Sequence, residues 1–464
     1  MNRPPGHLHF LGICGTAMGS VAAALRDRGC MVTGSDERVY PPMSDFLRER
    51  GVKVTEPYRA ENLPDEPDLV VVIGNAIKRG NPEVEAVLNR RLYYLSLPEV
   101  LKEFFLRGRH NLVVTGTHGK TTTTALLTWM LTVGELDPSY LVGGLPRNLG
   151  QGARFNDSKH FVVEGDEYDT AFFDKRSKFI HYLPELLVIN NIEFDHADIF
   201  PDLAAIKSSF RRVINIVPQG GMILLNGDDP NCVEVASDSL APIVEVGFSE
   251  NCAERIREVS YSANGSRFLL GEVLFESPLI GEFNVRNAAM AAVAARFYGV
   301  APEVIQTALT TFEGIARRQE VRGVERGVTV IDDFGHHPTA IRETLSALRR
   351  RYPGCRLWAI FEPRSNTTRR AVFQQQLPEA LSLADGIFIS QIAALEQIPE
   401  RERLHPELVI KSLREAGRTA FYETDAEAIV ARIVPLLAPD DIVTIFSNGG
   451  FDGIHAKLLR RLRE

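Results

Sequence analysis

The sequence predicts an α/β protein of three domains, each built on a mainly parallel β-sheet. Three observations carry that prediction. Short apolar runs such as Leu69–Ile73 and Leu357–Phe361 recur along the chain and alternate with helix-like stretches, the pattern of parallel strands joined by crossover helices. Most of these runs end in Gly-rich, acidic or amide-rich turns, and ligands of open α/β sheets gather at the carboxyl ends of strands. The length, 464 residues, holds roughly three domains at about 100–200 residues each. The expected domains are residues 1–106, 107–320 and 321–464, with linkers near 105–110 and 314–323.

Composition narrows the class. The chain is 44% hydrophobic and 24% charged, which suits ordinary globular cores. A net charge of −8 argues against nonspecific nucleic-acid binding, although local backbone geometry can still hold an anion. Five scattered cysteines with no CxxC pair read as reduced thiols of a cytoplasmic protein. The N-terminus has no apolar core of signal-peptide length, and the apolar runs are too short to span a bilayer. No membrane partner is expected.

The first domain opens with a strand at residues 8–13 and the turn Gly12-Ile-Cys-Gly15-Thr-Ala-Met-Gly19, which leads into a helix. A second strand runs from Cys30 to Asp36, and the proline-stiffened segment Val39-Tyr-Pro-Pro-Met43 follows. Leu69–Ile73 is a buried strand ending at Gly74-Asn75. A Gly-rich turn can hold a diphosphate and an acid about 20 residues on a ribose hydroxyl. The glycines are not spaced as G-x-G-x-x-G, so a dinucleotide site, a nucleotide-sugar site and a structural turn remain equal alternatives.

The central domain begins with a strand at 111–114 and the turn Gly116-Thr-His-Gly119-Lys120-Thr121, which opens a helix over 121–131. Glycines bring backbone N–H groups to an anion, and the helix N-terminus favours negative charge. Lys120 adds a fixed positive charge, and Thr121 a hydroxyl suited to a phosphate-bound Mg²⁺. The spacing is a shortened phosphate loop, Gly-x-x-Gly-Lys-Thr. His160–Glu164 reads as a strand ending in Gly165-Asp-Glu-Tyr-Asp169, and 186–190 as one ending in Asn191-Ile-Glu-Phe-Asp-His196. Lys120, Thr121, Glu164 and His196 therefore meet at one rim, which is what a Mg²⁺–ATP site needs. His196 is a less usual Mg²⁺ ligand and could be structural; Asp195 and Asp198 could cap the following turn. Phe283-Asn-Val-Arg-Asn287 precedes an Ala-rich helix over 288–297, where amides could read a base edge or simply cap the helix.

The third domain repeats the pattern. A strand from Val328 ends in Asp332-Asp333 and leads into Phe334-Gly-His336-His337-Pro338. Leu357–Phe361 leads to Glu362-Pro-Arg364-Ser365-Asn366, and further strands at 385–390 and 441–446 follow, the last ending in Ser447. No cysteine or third ligand has the spacing that would make the histidine pair a zinc site.

Four stretches together resemble the Mur ligase family: the 115–123 phosphate loop, Asn191-Ile-Glu-Phe-Asp-His196, Asn284 to Asn287, and Asp332-Asp-Phe-Gly-His-His-Pro338. Their order and spacing fit across the whole chain. The stretches at 165–178, 193–200 and 361–367 are similar to one branch of that family. This branch attaches the recovered tripeptide L-Ala-γ-D-Glu-meso-diaminopimelate to UDP-N-acetylmuramate in cell-wall recycling; the alternative branch adds L-alanine.

The resemblance implies ATP and Mg²⁺ as cofactors, UDP-N-acetylmuramate and a cell-wall tripeptide as partners, and a monomer or weak homodimer. Gly116, Thr117, His118, Gly119, Lys120, Thr121 and Thr122 would hold the phosphates, with Asn287 on adenine. Arg318, Asp332 and His336 would close over the nucleotide. Thr121 and Glu164 would bind Mg²⁺, and His196 a second ion; Lys120, Glu164 and His196 form the expected catalytic set. Gly12, Gly15, Thr16, Ala17, Met18, Asp36 and Asn75 would line the UDP site, with His118 facing the sugar acid. Arg364, Ser365 and Asn366 would take the peptide. Relatives carry a carbamylated lysine near the second metal; Lys207 lies in that region but is assigned no such role. The diaminopimelate-reading Asp-Asn-Pro-Arg of another branch does not occur. Two readings from other classes, a nicotinamide-dependent oxidoreductase and an ATP-driven switch, leave part of these residues unexplained.

Overall fold

Apolar runs set the sheets. In the computed structural model, which describes residues 6–37, 39 and 43–464, five parallel strands make the first sheet. Their order is Lys53–Thr55, Met31–Ser35, His7–Leu11, Leu69–Ile73, Tyr93–Ser96. His7–Leu11 and Leu69–Ile73 are buried throughout, as strands covered by helices on both faces must be. Most of the proline-stiffened loop, and the first five residues, lie outside the described residues.

The second sheet has ten strands. Its parallel core places His110–Thr115 between Leu186–Ile189 and His160–Glu164. Registers pair Val114 with both Val188 and Glu164, so the phosphate loop, the 190–196 turn and the acidic turn after Glu164 leave one edge together. Beyond Ile243–Gly247 the sheet continues as Glu254–Ser262, Gly265–Leu270 and Val273–Ser277, the last two antiparallel to their neighbours. The helices Lys120–Val133 and Glu282–Phe297 pack together over the sheet. Buried alanines from 288 to 295 permit their close approach. The latter helix starts at Glu282, earlier than expected, so Asn284 and Asn287 sit within its first turns, one above the other.

The third sheet orders Glu320–Glu325, Val328–Asp333, Ile442–Phe446, Leu357–Phe361, Gly386–Ser390 and Thr419–Glu423. All are parallel except the first. The strand ends of this domain face those of the central domain. Across the seam, Thr339 Oγ1 donates to Glu193 Oε2 at 2.7 Å, Asn366 Nδ2 to Asp198 Oδ2 at 2.7 Å, and the Ala197 amide to Thr367 Oγ1 at 3.2 Å. Among the described residues, no helix is long and apolar enough to cross a membrane.

Candidate active site at the domain seam

The phosphate loop needs its glycines. Gly116 and Gly119 have φ of +126° and +80°, the left-handed side that L-residues avoid. A Cβ on Gly119 would stand 2.5 Å from Asn287 Oδ1, and one on Gly116 3.0 Å from the Asn191 amide nitrogen. The loop thus lies flat against the two strips expected to meet the nucleotide. Lys120 is the first residue of its helix.

The Lys120 ammonium is fully engaged within the protein. Nζ donates to Glu167 Oε2 at 2.8 Å and to the Gly116 carbonyl at 2.6 Å. Burial works against its charge, but the Glu167 and Asp166 carboxylates outweigh it and hold the pKa above the usual lysine range. The other Glu167 oxygen meets His196 Nε2 at 3.1 Å. Burial also opposes protonation of His196. The bond to Glu167 and the nearby Asp195 prevail and push its pKa up to about 9. His196 holds φ at +55°, a backbone cost for a non-glycine residue that surrounding contacts must offset. Asp166 is bound by Lys178 Nζ at 2.6 Å.

Glu164 stands next to this group. Thr121 Oγ1 donates to its Oε1 at 3.0 Å and the Gly143 amide to its Oε2 at 2.7 Å. Burial pushes the Glu164 carboxyl up despite the opposing pull of Lys120. A hydroxyl and a buried carboxylate short of positive charge are hard oxygen donors that fit Mg²⁺. His196, protonated through its pair with Glu167, would have to lose that proton before ligating a cation.

Lys120, Thr121, Glu164, Asp166 and His196 line a cleft of about 620 Å³ between the central and third domains, with Glu167 behind them. Asn287 and Asn284 lie in its wall, and Arg318, two residues before the third sheet's first strand, reaches in with a nitrogen 3.4 Å from Thr121 Oγ1. His336 lines it too; burial lowers its pKa and keeps it neutral. Asp332 does not. Alternation along a strand sends neighbours to opposite faces, and Asp332 turns away to His455 Nε2 at 3.3 Å and Arg317 Nε at 3.4 Å. Its neighbour Asp333 faces the cleft, held by the Gly335 and Gln319 amides at 2.7 and 2.9 Å, with burial pushing its carboxyl up.

His118 is placed against the seam. Its Nε2 lies 3.4 Å from Glu193 Oε2, and its ring packs on His337 with centroids 4.4 Å apart. His337 caps the helix Pro338–Arg351, accepting from the Thr339 amide at 3.2 Å. Asp195 and Asp198 were open to a role as turn caps. Asp195 lines the cleft, and Asp198 accepts from Asn366 across the seam and from Tyr168 Oη.

The UDP candidates form a separate group at the first sheet's strand ends. Asp36 Oδ2 accepts the Cys14 amide at 2.8 Å and its Oδ1 the Glu37 amide at 2.8 Å. Gly12 has φ of +81°, and Gly15, Thr16 and Ala17 open the next helix. The Met18 side chain is buried in the domain core, so Met18 would line the site through its backbone. Asn75 follows the strand Leu69–Ile73, half-buried. Of the peptide candidates, Asn366 bridges the seam and Ser365 Oγ is bonded to Thr368 Oγ1 at 2.8 Å. Arg364 is 57% exposed, with Glu362 at 3.6 Å. Lys207 does not line the cleft; its Nζ donates to Glu234 Oε2 at 2.6 Å.

Sequence reasoning missed Asp166, Glu167, Glu193 and Asp333 as members of the site. The signal available was their position: each lies in a turn after, or at the end of, an apolar strand.

Family comparisons cover the chain in three parts. Residues 7–109 match the Mur ligase family catalytic domain, 114–295 the Mur ligase middle domain, and 317–449 the Mur ligase glutamate ligase domain. The chain is 43% identical over 462 residues to the UDP-N-acetylmuramate–L-alanyl-γ-D-glutamyl-meso-2,6-diaminoheptanedioate ligase of Haemophilus influenzae, covering 98% of this chain and 99% of the relative. It is 32% identical to the UDP-N-acetylmuramate–L-alanine ligase of Acetivibrio thermocellus, covering 96% and 93%. The crystal structure of a murein peptide ligase from Psychrobacter arcticus superposes with a TM-score of 0.73 at 35% identity, covering 99% of both chains.

Proposed function

The chain belongs to the Mur ligase family, and we propose that it joins UDP-N-acetylmuramate to the tripeptide L-Ala-γ-D-Glu-meso-diaminopimelate with ATP, forming an amide. The observation that carries this reading is the 43% identity, over essentially its whole length, to a ligase of that name, against 32% to the L-alanine ligase. The cleft suits the chemistry: a phosphate loop, buried acids and cations from two domains share one cavity.

An amide made from a carboxylate and an amine requires activation of the carboxylate. In the proposed reaction the γ-phosphoryl group of ATP passes to the muramyl carboxylate, giving an acyl phosphate and ADP. The peptide amine then attacks the acyl carbon, and phosphate leaves. The loop amides of 116–122 and Lys120 would hold the phosphates, Arg318 would meet them from the segment leading into the third domain, and Asn287 would contact the base. Thr121 and Glu164 would hold Mg²⁺, with His196 toward a second ion. When bound, Mg²⁺ supplies charge neutralisation at the phosphates. Positioning does most of the remaining work. Acyl phosphates hydrolyse readily, so water must be kept out; the seam bonds of Thr339, Asn366 and Thr367 would serve that end. The five free cysteines support placing the reaction in a reducing, cytoplasmic compartment.

The test is phosphate release from ATP with each acceptor in turn. Release that needs both UDP-N-acetylmuramate and the tripeptide is the expected result. Release with L-alanine and none with tripeptide would move the chain to the other branch.

A further inference from the structure

A second cavity, of about 320 Å³, opens on the same seam a few residues from His196. Its two walls differ in kind. The central domain contributes Phe194, Phe200 and Pro201, an apolar surface. The third domain contributes Arg370, Arg401 and Glu402 beside the apolar Ala371 and Val372. Phe194 and Pro201 bracket the turn that carries His196, and the cavity shares no lining residue with the larger cleft.

The charges are unevenly committed. Arg370 is ion-paired with Glu402, yet its Nε is buried with no acceptor. Arg401 is 89% exposed and reaches Glu402 only at 3.9 Å. The pocket thus offers an apolar floor, one carboxylate, one loosely held guanidinium and a buried donor still lacking a partner.

That inventory matches one part of the proposed peptide. A 2,6-diaminoheptanedioate residue ends in three methylenes and a carbon bearing both an ammonium and a carboxylate. We propose that the pocket takes this zwitterionic end, an inference that rests on the tripeptide reading above. The methylenes lie on Phe194, Phe200 and Pro201. The carboxylate meets Arg401 and the spare donor of Arg370, and the ammonium meets Glu402. Planar guanidinium groups suit carboxylates. A lysine at the third position keeps the ammonium and lacks the carboxylate. Discrimination between the two then falls on Arg401 and the Arg370 Nε, to which a lysine peptide brings no carboxylate.

Steady-state kinetics of the full-length enzyme decide the matter, using tripeptides that end in meso-diaminopimelate or in lysine. In Arg401→Gln, KM for the diaminopimelate peptide is expected to rise about tenfold. The expected kcat stays within about twofold, and the preference over lysine collapses. Arg401 is exposed and makes no close bond, so the change does not threaten folding. Glu402→Gln should raise KM for both peptides, because both carry the ammonium. An Arg401→Gln enzyme with unchanged KM and unchanged preference overturns the pocket assignment alone. A wild-type enzyme that uses L-alanine and no tripeptide overturns the functional reading, and this inference with it.

Discussion

Two glycine turns in this chain share a local design and differ in everything around it. Both leave a buried parallel strand and open a helix: Thr16–Asp27 in the first domain and Lys120–Val133 in the second. The first has no lysine and no acid in its helix's opening turn. Asp36 stands beside it and accepts backbone amides. The second is surrounded by Lys120, Glu164, Asp166, Glu167 and His196. A glycine turn is enough to hold a phosphate that stays intact. Moving a phosphoryl group takes charge gathered from neighbouring strand ends.

Replacing the charge tests the second turn most severely. Lys120→Ala is expected to lower kcat/KM by about a thousandfold or more, roughly 4 kcal/mol of transition-state stabilisation. A variant that still releases phosphate at the wild-type rate would erase the distinction between the turns.

Backbone substitutions sharpen the contrast next. In Gly119→Ala, a positive φ and a 2.5 Å approach to Asn287 should cost about 1–3 kcal/mol of stability. Gly15→Ala places its Cβ no nearer than 3.5 Å to any atom, at an ordinary negative φ, and should stay within about 0.5 kcal/mol. Urea unfolding of both variants measures the difference; equal losses would show that the two turns are equally constrained.

A further contrast concerns the seam beside the second turn. Burial raises the Glu193 carboxyl, but His118, His337 and Thr339 outweigh it and hold its pKa below the usual range. A depressed carboxyl contributes stability above its unfolded pKa and loses it as pH falls toward the folded value. Glu193→Gln should therefore destabilise by about 1–2 kcal/mol at pH 7. The gap between variant and wild type should close as pH falls below about 4. A gap independent of pH would mean that Glu193 acts by shape alone.

How far the sequence could be read depends on what each segment meets. Leu69–Ile73, His160–Glu164 and Leu357–Phe361 were legible residue for residue, since apolar runs between turn residues have one stable place in a parallel sheet. The strands Glu254–Ser262 and Gly265–Leu270 were not foreseen: in the first, exposed Glu258, Ser260 and Ser262 alternate with half-buried residues, and the second carries only the short apolar run Phe268–Leu270. Lys120 and Thr121 could be named from the loop motif, and Glu164 from its place at the end of an apolar strand. Glu167 could not be assigned, because its meaning lies in a lysine 47 residues earlier and a histidine 29 residues later. Asp332 and Asp333 differ only in which face of one strand they occupy, and choosing between them requires the sheet's orientation.

The Lys120–Glu167 pair also sets terms for what can enter. An incoming ligand must outcompete a buried carboxylate and a carbonyl already holding the ammonium, so it competes by exchange and not by filling an open place. A neutral nucleoside brings nothing to trade, and a monophosphate brings little. Only a polyanion accompanied by its counter-cation can take the lysine and leave the displaced carboxylate compensated. The cleft thereby ranks ligands by charge number before it reads any base, and calorimetry along the series from adenosine to ATP would show that ranking as a step in affinity.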